Sequence, residues 1–470
     1  MAIDNLQNIP ATTEQEIIDI VASQNDYFKT GATKSYQSRI DNLHKLKAAL
    51  IKYEAEIHIA LKQDLGKPEF ESYLSETGFC LHDISTTLGK LKSWMKPKWR
   101  LTSLLTQPGS SRIYYSPLGV NLIIAPYNYP VNLSISPLIA AIAAGNTAVM
   151  KTSELTPYCS AVIRQLINET FSPEYIAYIE GAVPETTTLL AQKFDHIFFT
   201  GSPRVGSIVM SAAAKNLTPV TLELGGKSPC IVHEDAKLDI AVNRIVSGKF
   251  LNAGQTCIAP DYVLVHKSLK EEFLGKLKDR VISVYGEDAS SSPDFARIVS
   301  DNHCQRIAGL IQSEKVLVGG QVDVDTRYIA PTVLRDVAMT DKVMSEEIFG
   351  PVLPVLEYET LDDIYEIVDQ LPHHPLACYL FSESTVVQQE IMSTIQSGGA
   401  CINNCLYHMA NHYLPFGGVG ESGMGAYHGF DGFACFSHKK GVLKAASWID
   451  NPLTYAPYGT KINLLRKFLK

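Results

Sequence analysis

From residue 112 onward the chain alternates short apolar runs of β type with alanine- and leucine-rich helical stretches, and this constrains the fold more than any other feature. "RIYYSPLGVNLIIAP", "NTAVMK", "YIAYIEG" and "HIFFTG" form a first series. A second comprises "VTLELGGKSPCIVH", "DYVLVH", "KVLVGG", "YIAPTVLRDV" and "PVLPVLEY". Such alternation indicates βαβ units around parallel sheets. Two series fit two α/β domains better than one, and the 470 residues allow roughly two to four domains of about 150 residues each. Ahead of the strands, residues 12–95 carry helical spacing: Ile40, Leu43, Leu46 and Leu50, then Ile57 and Leu61 after a break at Lys52-Tyr53.

Charge and cysteine usage narrow the function classes. A net charge of −8 and a pI near 5.9 lack the basic footprint that a phosphate backbone demands, so no nucleic acid is expected as a partner. Nine cysteines (Cys80, Cys159, Cys230, Cys257, Cys304, Cys378, Cys401, Cys405 and Cys435) stand at irregular spacing, which suits reduced thiols in a cytoplasmic setting. "MAIDNLQNIPATTEQ" has neither the basic nor the apolar part of a secretory signal. "ISPLIAAIAAGNTAVM" at 135–150 is interrupted by Gly145 and Asn146 and falls short of the roughly 20 residues of a membrane span; it reads as a buried helix followed by a strand. The tail "KINLLRKFLK" puts Ile462, Leu465 and Leu469 near one side, with Lys461, Arg466, Lys467 and Lys470 available to the other. It reads as a terminal helix or arm packed on the protein body, with a membrane-surface role as the alternative.

Three stretches invite chemical readings. "HIFFTGSPRVGSIVMSAAA" at 196–214 is an apolar strand, a Gly201-Ser202 turn and a helix expected to start close to Gly206; free N–H groups and the helix dipole at such a junction suit a pyrophosphate. The fuller G-x-G-x-x-G pattern, "GVGESG" at 418–423, follows a poor strand and leaves no βαβ unit downstream, so it is a decoy. "CINNCLYHMANH" offers Cys401, Cys405, His408 and His412, residue types that zinc accepts. Structural zinc sites space their ligand pairs around a loop, so no metal is expected and the stretch reads as a polar loop near an active site or interface.

"FLNAGQTCIAP" places Cys257 in a polar, glycine-marked segment, an unusual setting for a core thiol and a suitable one for a nucleophile. "TLELGGKSP" ends an apolar strand at Glu223 before Gly225-Gly226, where a carboxylate can face a cleft and serve as a base for water. Asn128, between Pro126 and Pro130, can donate its amide to a developing oxyanion. Each alone also suits a structural role, as a surface carboxylate, a turn residue or a small buried thiol; their joint occurrence favours chemistry.

Through "APYNYP", "MKTSE", "FTGSPRVG", "LELGGKSP", "GQTCIAPDYVLV", "EEIFGPVLP" and "LPFGGVGESGMGAYHG", in order and over nearly its whole length, the chain resembles the aldehyde dehydrogenase superfamily, and its "YHG…FSHKK" region and length resemble the class 3 branch. That resemblance implies an α/β fold with two Rossmann-type domains and a β bridging element. The NAD(P)-binding domain would span 1–98 and 118–224, the catalytic domain 225–435, the oligomerisation element of a symmetric homodimer 99–117 and 436–447, and a C-terminal extension 448–470. It also implies oxidation of an apolar aldehyde (long-chain aliphatic, aromatic or polyene) to its acid. Cys257 would form a thiohemiacetal and then a thioester, with Asn128 holding the oxyanion and Glu223 activating water. Lys151 and Glu154 match contacts to the adenosine ribose; Gly201, Ser202 and Gly206 match the pyrophosphate turn, with Leu224 beside them; Glu347 and Phe349 match nicotinamide-ribose contacts. Glu154 would repel a 2′-phosphate, favouring NAD, with NADP as the second acceptor. Thr152 stands where the family more often has proline, which is expected to loosen that loop. Tyr73, Tyr127, Tyr407, His408 and His412 are expected to shape the substrate end. A CoA-acylating reaction is the enzymatic alternative, disfavoured by Glu223, and a non-catalytic protein retaining the fold is the other.

Overall fold

A computed structural model describes residues 10–371, 374–450 and 452–468; in it the apolar runs divide between two main sheets, but not at the expected place, since Val220–Glu223, which opens the second series, pairs into the first sheet, and Gly109–Pro117 of the first series joins a third, smaller one. The first sheet is ordered Ile176–Tyr178, Thr147–Lys151, Val120–Ile124, His196–Thr200, Val220–Glu223, all parallel, with Gly423–Met424 antiparallel at the edge. Its central strands are buried along their whole length, as a parallel sheet covered on both faces requires. The chain adds strands outward from Val120–Ile124, then returns to that strand's other side for His196–Thr200. A topological switch point therefore lies between these two, and ligands of open α/β sheets bind outside the carboxyl ends at such a point.

Helix Asn132–Ala144 is buried at all its positions. It stops because Gly145 adopts a left-handed φ of 88°, a conformation glycine enters without steric cost, and the chain continues as strand Thr147–Lys151. The apolar run at 135–150 is thus a core helix and strand. In the amino-terminal region, helices Tyr36–Lys52 and Glu54–Leu65 break at Tyr53, whose ring is buried.

The second sheet has seven strands, ordered Val316–Val318, Thr332–Leu334, Val352–Tyr358, Tyr262–His266, Pro229–Val232, Ala377–Phe381, Gly399–Ile402; only the first pair is antiparallel. Segments entering its strands meet segments leaving those of the first sheet. Asn128, just past Val120–Ile124, donates from its side-chain amide to Gln255 O at 3.0 Å, and Tyr129 OH shares a hydrogen bond of 2.6 Å with Thr256 Oγ1, just ahead of Tyr262–His266.

Within 99–117 and 436–447, Gly109–Pro117 pairs along nine residues with Ser437–Ala445, and Lys98–Arg100 adds on the far side. One boundary differs from expectation. Within 225–435, strand Gly423–Met424 returns to the first sheet beside Leu222–Glu223, and Phe433 of helix Gly429–Cys435 packs on Trp94, because the apolar side chains of this stretch find their partners on the first domain. The tail also differs from the packed arm expected of it. Ile462 and Leu464 of helix Lys461–Phe468 are exposed, as are Trp448 and Tyr458; Leu469 and Lys470 lie outside the described residues. Among the described residues no helix is long and apolar enough to cross a membrane.

Candidate active site

Cys257 follows a turn that ordinary residues avoid. Asn252 and Ala253 adopt φ values of 53° and 51°, and Gly254 follows at 73°. Each non-glycine residue in that region costs about 1–2 kcal/mol, so the surroundings must hold it. A Cβ on Gly254 would sit 2.3 Å from Gly350 O, so only glycine allows this close approach. Glu71 accepts from Asn252 N at 2.9 Å; Asn252 donates from its side chain to Asn128 O at 2.8 Å; Gln255 donates to Asn252 O and Arg297 O at 3.0 and 2.9 Å and accepts from Val299 N at 2.9 Å. The result is a rigid turn presenting a partly exposed thiol.

That thiol opens on a cavity of about 480 Å³, which Glu223 also lines. Glu223 ends strand Val220–Glu223 and is 2% exposed. Neither of its carboxyl oxygens has a hydrogen-bond partner among the described residues, nor has Thr200 Oγ1 at the end of the neighbouring strand. Burial pushes the Glu223 carboxyl well above the usual carboxylate range. Burial, with Glu347 and Glu223 adding to it, likewise pushes the Cys257 thiol up from its ordinary value. Phe79, Leu133, Ile258, Phe416 and Tyr427 make the inner walls apolar.

A buried polar frame, invisible in the sequence patterns, supports both halves. Lys67 and Glu76 form an ion pair at 2.6 Å with neither side chain exposed. Glu76 sits in a π-helical turn, Tyr73–Thr77, and its other oxygen accepts from Val131 N and Asn132 N at 3.1 and 2.8 Å, capping helix Asn132–Ala144. Lys67 also donates to Asn128 O at 3.1 Å, so this pair fixes the loop that carries Asn128. On the other side Lys227 pairs with Asp261 and donates to Val343 O and Glu346 O at 3.1 and 2.9 Å, while Asp261 accepts from Ile348 N at 2.9 Å. That arrangement holds the loop bearing Glu347 and Phe349. Lys249 is fully buried, has no hydrogen-bond partner and is pushed down to about 8 by burial.

Lys151, Gly201, Ser202 and Leu224, four of the residues expected to hold a coenzyme, stand at or just past the carboxyl ends of first-sheet strands, whereas Glu347 and Phe349 come from the segment ahead of Val352–Tyr358. Ser202 caps helix Pro203–Ala214, accepting from Val205 N at 3.4 Å. The helix thus begins three residues before Gly206, because serine at the cap and proline in the first turn set its start. A Cβ on Gly206 would meet Leu224 Cδ2 at 2.7 Å, and one on Gly225 would meet Glu347 Oε2 at 2.1 Å. The space these missing side chains leave brings the helix start and the Glu347 carboxylate close to the switch point, which suits a dinucleotide. Burial, with Asp261 nearby, raises Glu347 to about 8. Lys151, buried at a strand end, pairs with half-exposed Glu154 at 3.3 Å. Thr152 does not loosen this loop: its hydroxyl is held by Ser160 Oγ at 2.7 Å and Tyr178 OH at 2.5 Å.

Of the five aromatic or imidazole residues expected at the substrate end, Tyr407 lines the cavity. The other four are not among its lining residues. Tyr73 points outward, with its ring edge-on to His58. Tyr127 packs against Phe349 and His303 on the coenzyme side. His408 places Nδ1 3.3 Å from Cys401 Sγ and stacks on Phe416 from behind. His412 is buried among Phe79, His82 and His428, 3.5 Å from Asp83. Chain proximity placed them near the cavity, whereas ring packing turned them away. Cys405 is buried in the cavity wall while His412 joins a different cluster, and among the described residues no three potential metal ligands gather. The Gly418–Gly423 stretch forms a short turn leading into strand Gly423–Met424 and opens no helix.

Comparison with known proteins agrees with this geometry. Residues 3–442 match the aldehyde dehydrogenase family. The chain is 46% identical over 459 residues to 4,4'-diaponeurosporen-aldehyde dehydrogenase of Staphylococcus aureus, covering 97% of this chain and 99% of that one. It is 44% identical over 427 residues to a dimeric NADP-preferring aldehyde dehydrogenase of Rattus norvegicus, covering 91% and 94%. A substrate-bound structure of Staphylococcus aureus AldH superimposes with a TM-score of 0.94 at 45% identity, covering 97% and 99%. These matches show that the chain belongs to the aldehyde dehydrogenase family as an NAD(P)-dependent aldehyde dehydrogenase.

Proposed function

We propose that Cys257 is the nucleophile, Asn128 the oxyanion donor and Glu223 the base for water in oxidation of an apolar aldehyde to its carboxylate. One observation carries this reading: a thiol and a buried carboxylate with neither oxygen satisfied share a single apolar-walled cavity. The thiolate of Cys257 adds to the aldehyde carbon, and the carbonyl π pair moves to oxygen. The second amide hydrogen of Asn128 and the N–H of Cys257 donate to that oxyanion. When bound, the nicotinamide coenzyme supplies a positively charged ring that favours the thiolate and accepts the hydride whose departure leaves a thioester on Sγ. Glu223 then takes a proton from water, the water oxygen adds to the thioester carbon, and the C–S bond breaks to release the acid and return the thiolate.

Lys151 and Glu154 would hold the adenosine ribose, Gly201, Ser202, Gly206 and Leu224 the pyrophosphate, and Glu347 and Phe349 the nicotinamide end. Half-exposed Glu154 supports NAD as the preferred acceptor, although the rat relative is described as NADP-preferring; equal or better kcat/KM with NADP would overturn that preference. The apolar walls and the polyene aldehyde in the name of the staphylococcal relative support a long-chain aliphatic or polyene aldehyde as substrate. We further propose a homodimer built on 99–117 and 436–447, since Ser437–Ala445 leaves an unpaired sheet edge, and a cytoplasmic enzyme whose tail, with Trp448 and Ile449 exposed, serves peripheral membrane contact. The deciding experiment measures NADH and NADPH formation from acetaldehyde, decanal, benzaldehyde and a retinal-type polyenal, with Cys257→Ser as blank. Activity that depends on Cys257 and rises with chain length supports the reading. No reduced coenzyme from any member, with or without CoA, overturns it, and turnover only with CoA assigns the acylating reaction instead.

A further inference from the structure

The cavity is apolar within and polar at its mouth. Its deep walls are the buried Phe79, Leu133, Ile258, Phe416 and Tyr427, while Asn243, Arg244 and Ser247, exposed on helix Leu238–Phe250, line it at the surface with Asn404 opposite. Arg244 differs from the paired lysines nearby, and from Lys249 of its own helix in being exposed rather than buried. Lys237, at the start of the same helix, pairs with Glu383 at 3.2 Å, and Lys276 pairs with Asp239 at 2.6 Å. Arg244 instead donates one N–H to Asn403 O, and among the described residues no carboxylate lies within ion-pairing distance of it. Glu383, which shares Asn403 with Arg244, is already held by Lys237 and the Asn403 amide. A guanidinium has five N–H donors in a planar fork, and among the described residues one of Arg244's is used by Asn403 O. In a chain with a net charge of −8, an unpaired guanidinium at the mouth of an apolar cleft is a distinct recognition feature.

We propose that Arg244 receives a carboxylate at the far end of the substrate, so that the preferred aldehydes include apolar chains terminated by an anion. This inference rests on the reading of the cavity as the aldehyde site. Gly248 and Leu251, which follow Arg244 by one and two helical turns, line the same cavity, and Cys257 lies just beyond them. Arg244 and Cys257 line the same cavity, the first exposed at the surface and the second partly buried, so a carbon chain lying along the apolar walls joins the two. The aldehyde carbon is then held at Cys257, the methylenes lie along the apolar walls, and the carboxylate accepts from the planar fork of Arg244, a geometry that favours bidentate contact. A neutral chain of equal length gains the same wall contacts and lacks only the last one.

The test compares straight-chain ω-oxo carboxylates of increasing length with their methyl esters, which keep shape and lose charge, reading NADH formation as kcat/KM. The expected result in the unmodified enzyme is a preference for the carboxylate of about three- to tenfold at low salt, the range for a charged hydrogen bond discounted for solvent exposure. The preference peaks at one chain length and falls as salt is raised. Arg244→Met brings the carboxylate-to-ester ratio to about one, and Arg244→Lys, which keeps the charge without the fork, gives an intermediate ratio. Because the readout is a ratio within each variant, partial loss of folded enzyme does not alter it. A ratio at or below one in the unmodified enzyme, or one that Arg244→Met leaves in place, overturns the inference while turnover of the esters upholds the aldehyde site itself. Absence of NADH from every acid and ester overturns both.

Discussion

The two edges that meet at the cavity are built by different means. In the two turns at the carboxyl edge of the first sheet proposed to hold the coenzyme, positions are set locally: Ser202 caps the helix one residue after Gly201, and Lys151 pairs with Glu154 three residues on. On the entering edge of the second sheet, the cysteine side, positions are set across the chain. Asn128 is bound to Gln255, Glu71 to Asn252, and Lys227 to the 343–346 segment. Local construction relies on backbone geometry that a few residues can produce alone. The long-range kind holds strained left-handed residues at Asn252 and Ala253 with buried polar groups that are costly when unpaired. Substitutions far from the thiol should therefore damage the cysteine side more than comparable ones damage the coenzyme side.

The sharpest way to probe that contrast is chemical. Glu223→Gln is expected to lower kcat by about 10²–10⁴, the usual range for loss of a general base, while leaving a first burst of NADH. Mass spectrometry should find acylated Cys257; full turnover would remove Glu223 from its proposed role. Next comes Lys67→Met, which leaves Glu76 buried without its cation and should cost about 3–5 kcal/mol in denaturant unfolding. The double variant with Glu76→Gln should recover part of that loss. If Lys67→Met proves as mild as a surface change, the contrast between the two edges fails.

A pH titration tests the same side without altering the frame. Glu347, raised to about 8, and Glu71, raised to about 7 by burial, bind protons more tightly folded than unfolded. Their contribution is full below the unfolded carboxylate range and is lost as pH rises through the folded values. His196, His408 and His428 are pushed down by burial to about 3, 4 and 3; their contribution is present above the unfolded histidine value and lost as pH falls below it. Stability should thus peak near neutrality and decline above it, with Glu347 accounting for roughly 1–2 kcal/mol between about pH 6.5 and 8. Glu347→Gln should flatten that limb in thermal melts; an unchanged slope would show that Glu347 does not titrate there. Smallest is Ser202→Ala on the local side. Loss of the cap should cost about 1 kcal/mol and raise KM for the coenzyme, with kcat nearly unchanged.

Much of this was legible in the chain, because it depends on short-range physics. Strand and helix alternation, the break at Tyr53, the stop at Gly145 and the turn at Gly201-Ser202 each follow from periodicity or the conformational range of one or two residues. Glu223 is marked by the glycines that follow its apolar strand, Asn128 by the prolines at 126 and 130, and Cys257 by a polar, glycine-marked segment unusual for a core thiol. The decoy status of "GVGESG" was also readable, from the absence of a strand before it.

What only the tertiary structure decided concerns residues whose partners lie scores of positions away. No spacing rule joins Lys67 and Glu76 to Asn128, or Lys227 to Glu346, since these links exist only once two sheets face each other. His408 and His412 looked equivalent in the chain, yet ring stacking and burial sent one to Cys401 and the other to Asp83. Arg244 is one charge among many until the fold leaves it without a counterion at the mouth of the cavity. Local backbone preferences determine which elements form. The choice of which polar groups are left paired, buried or waiting for a ligand belongs to packing, because an unpaired charge is costly only where the fold has removed the water.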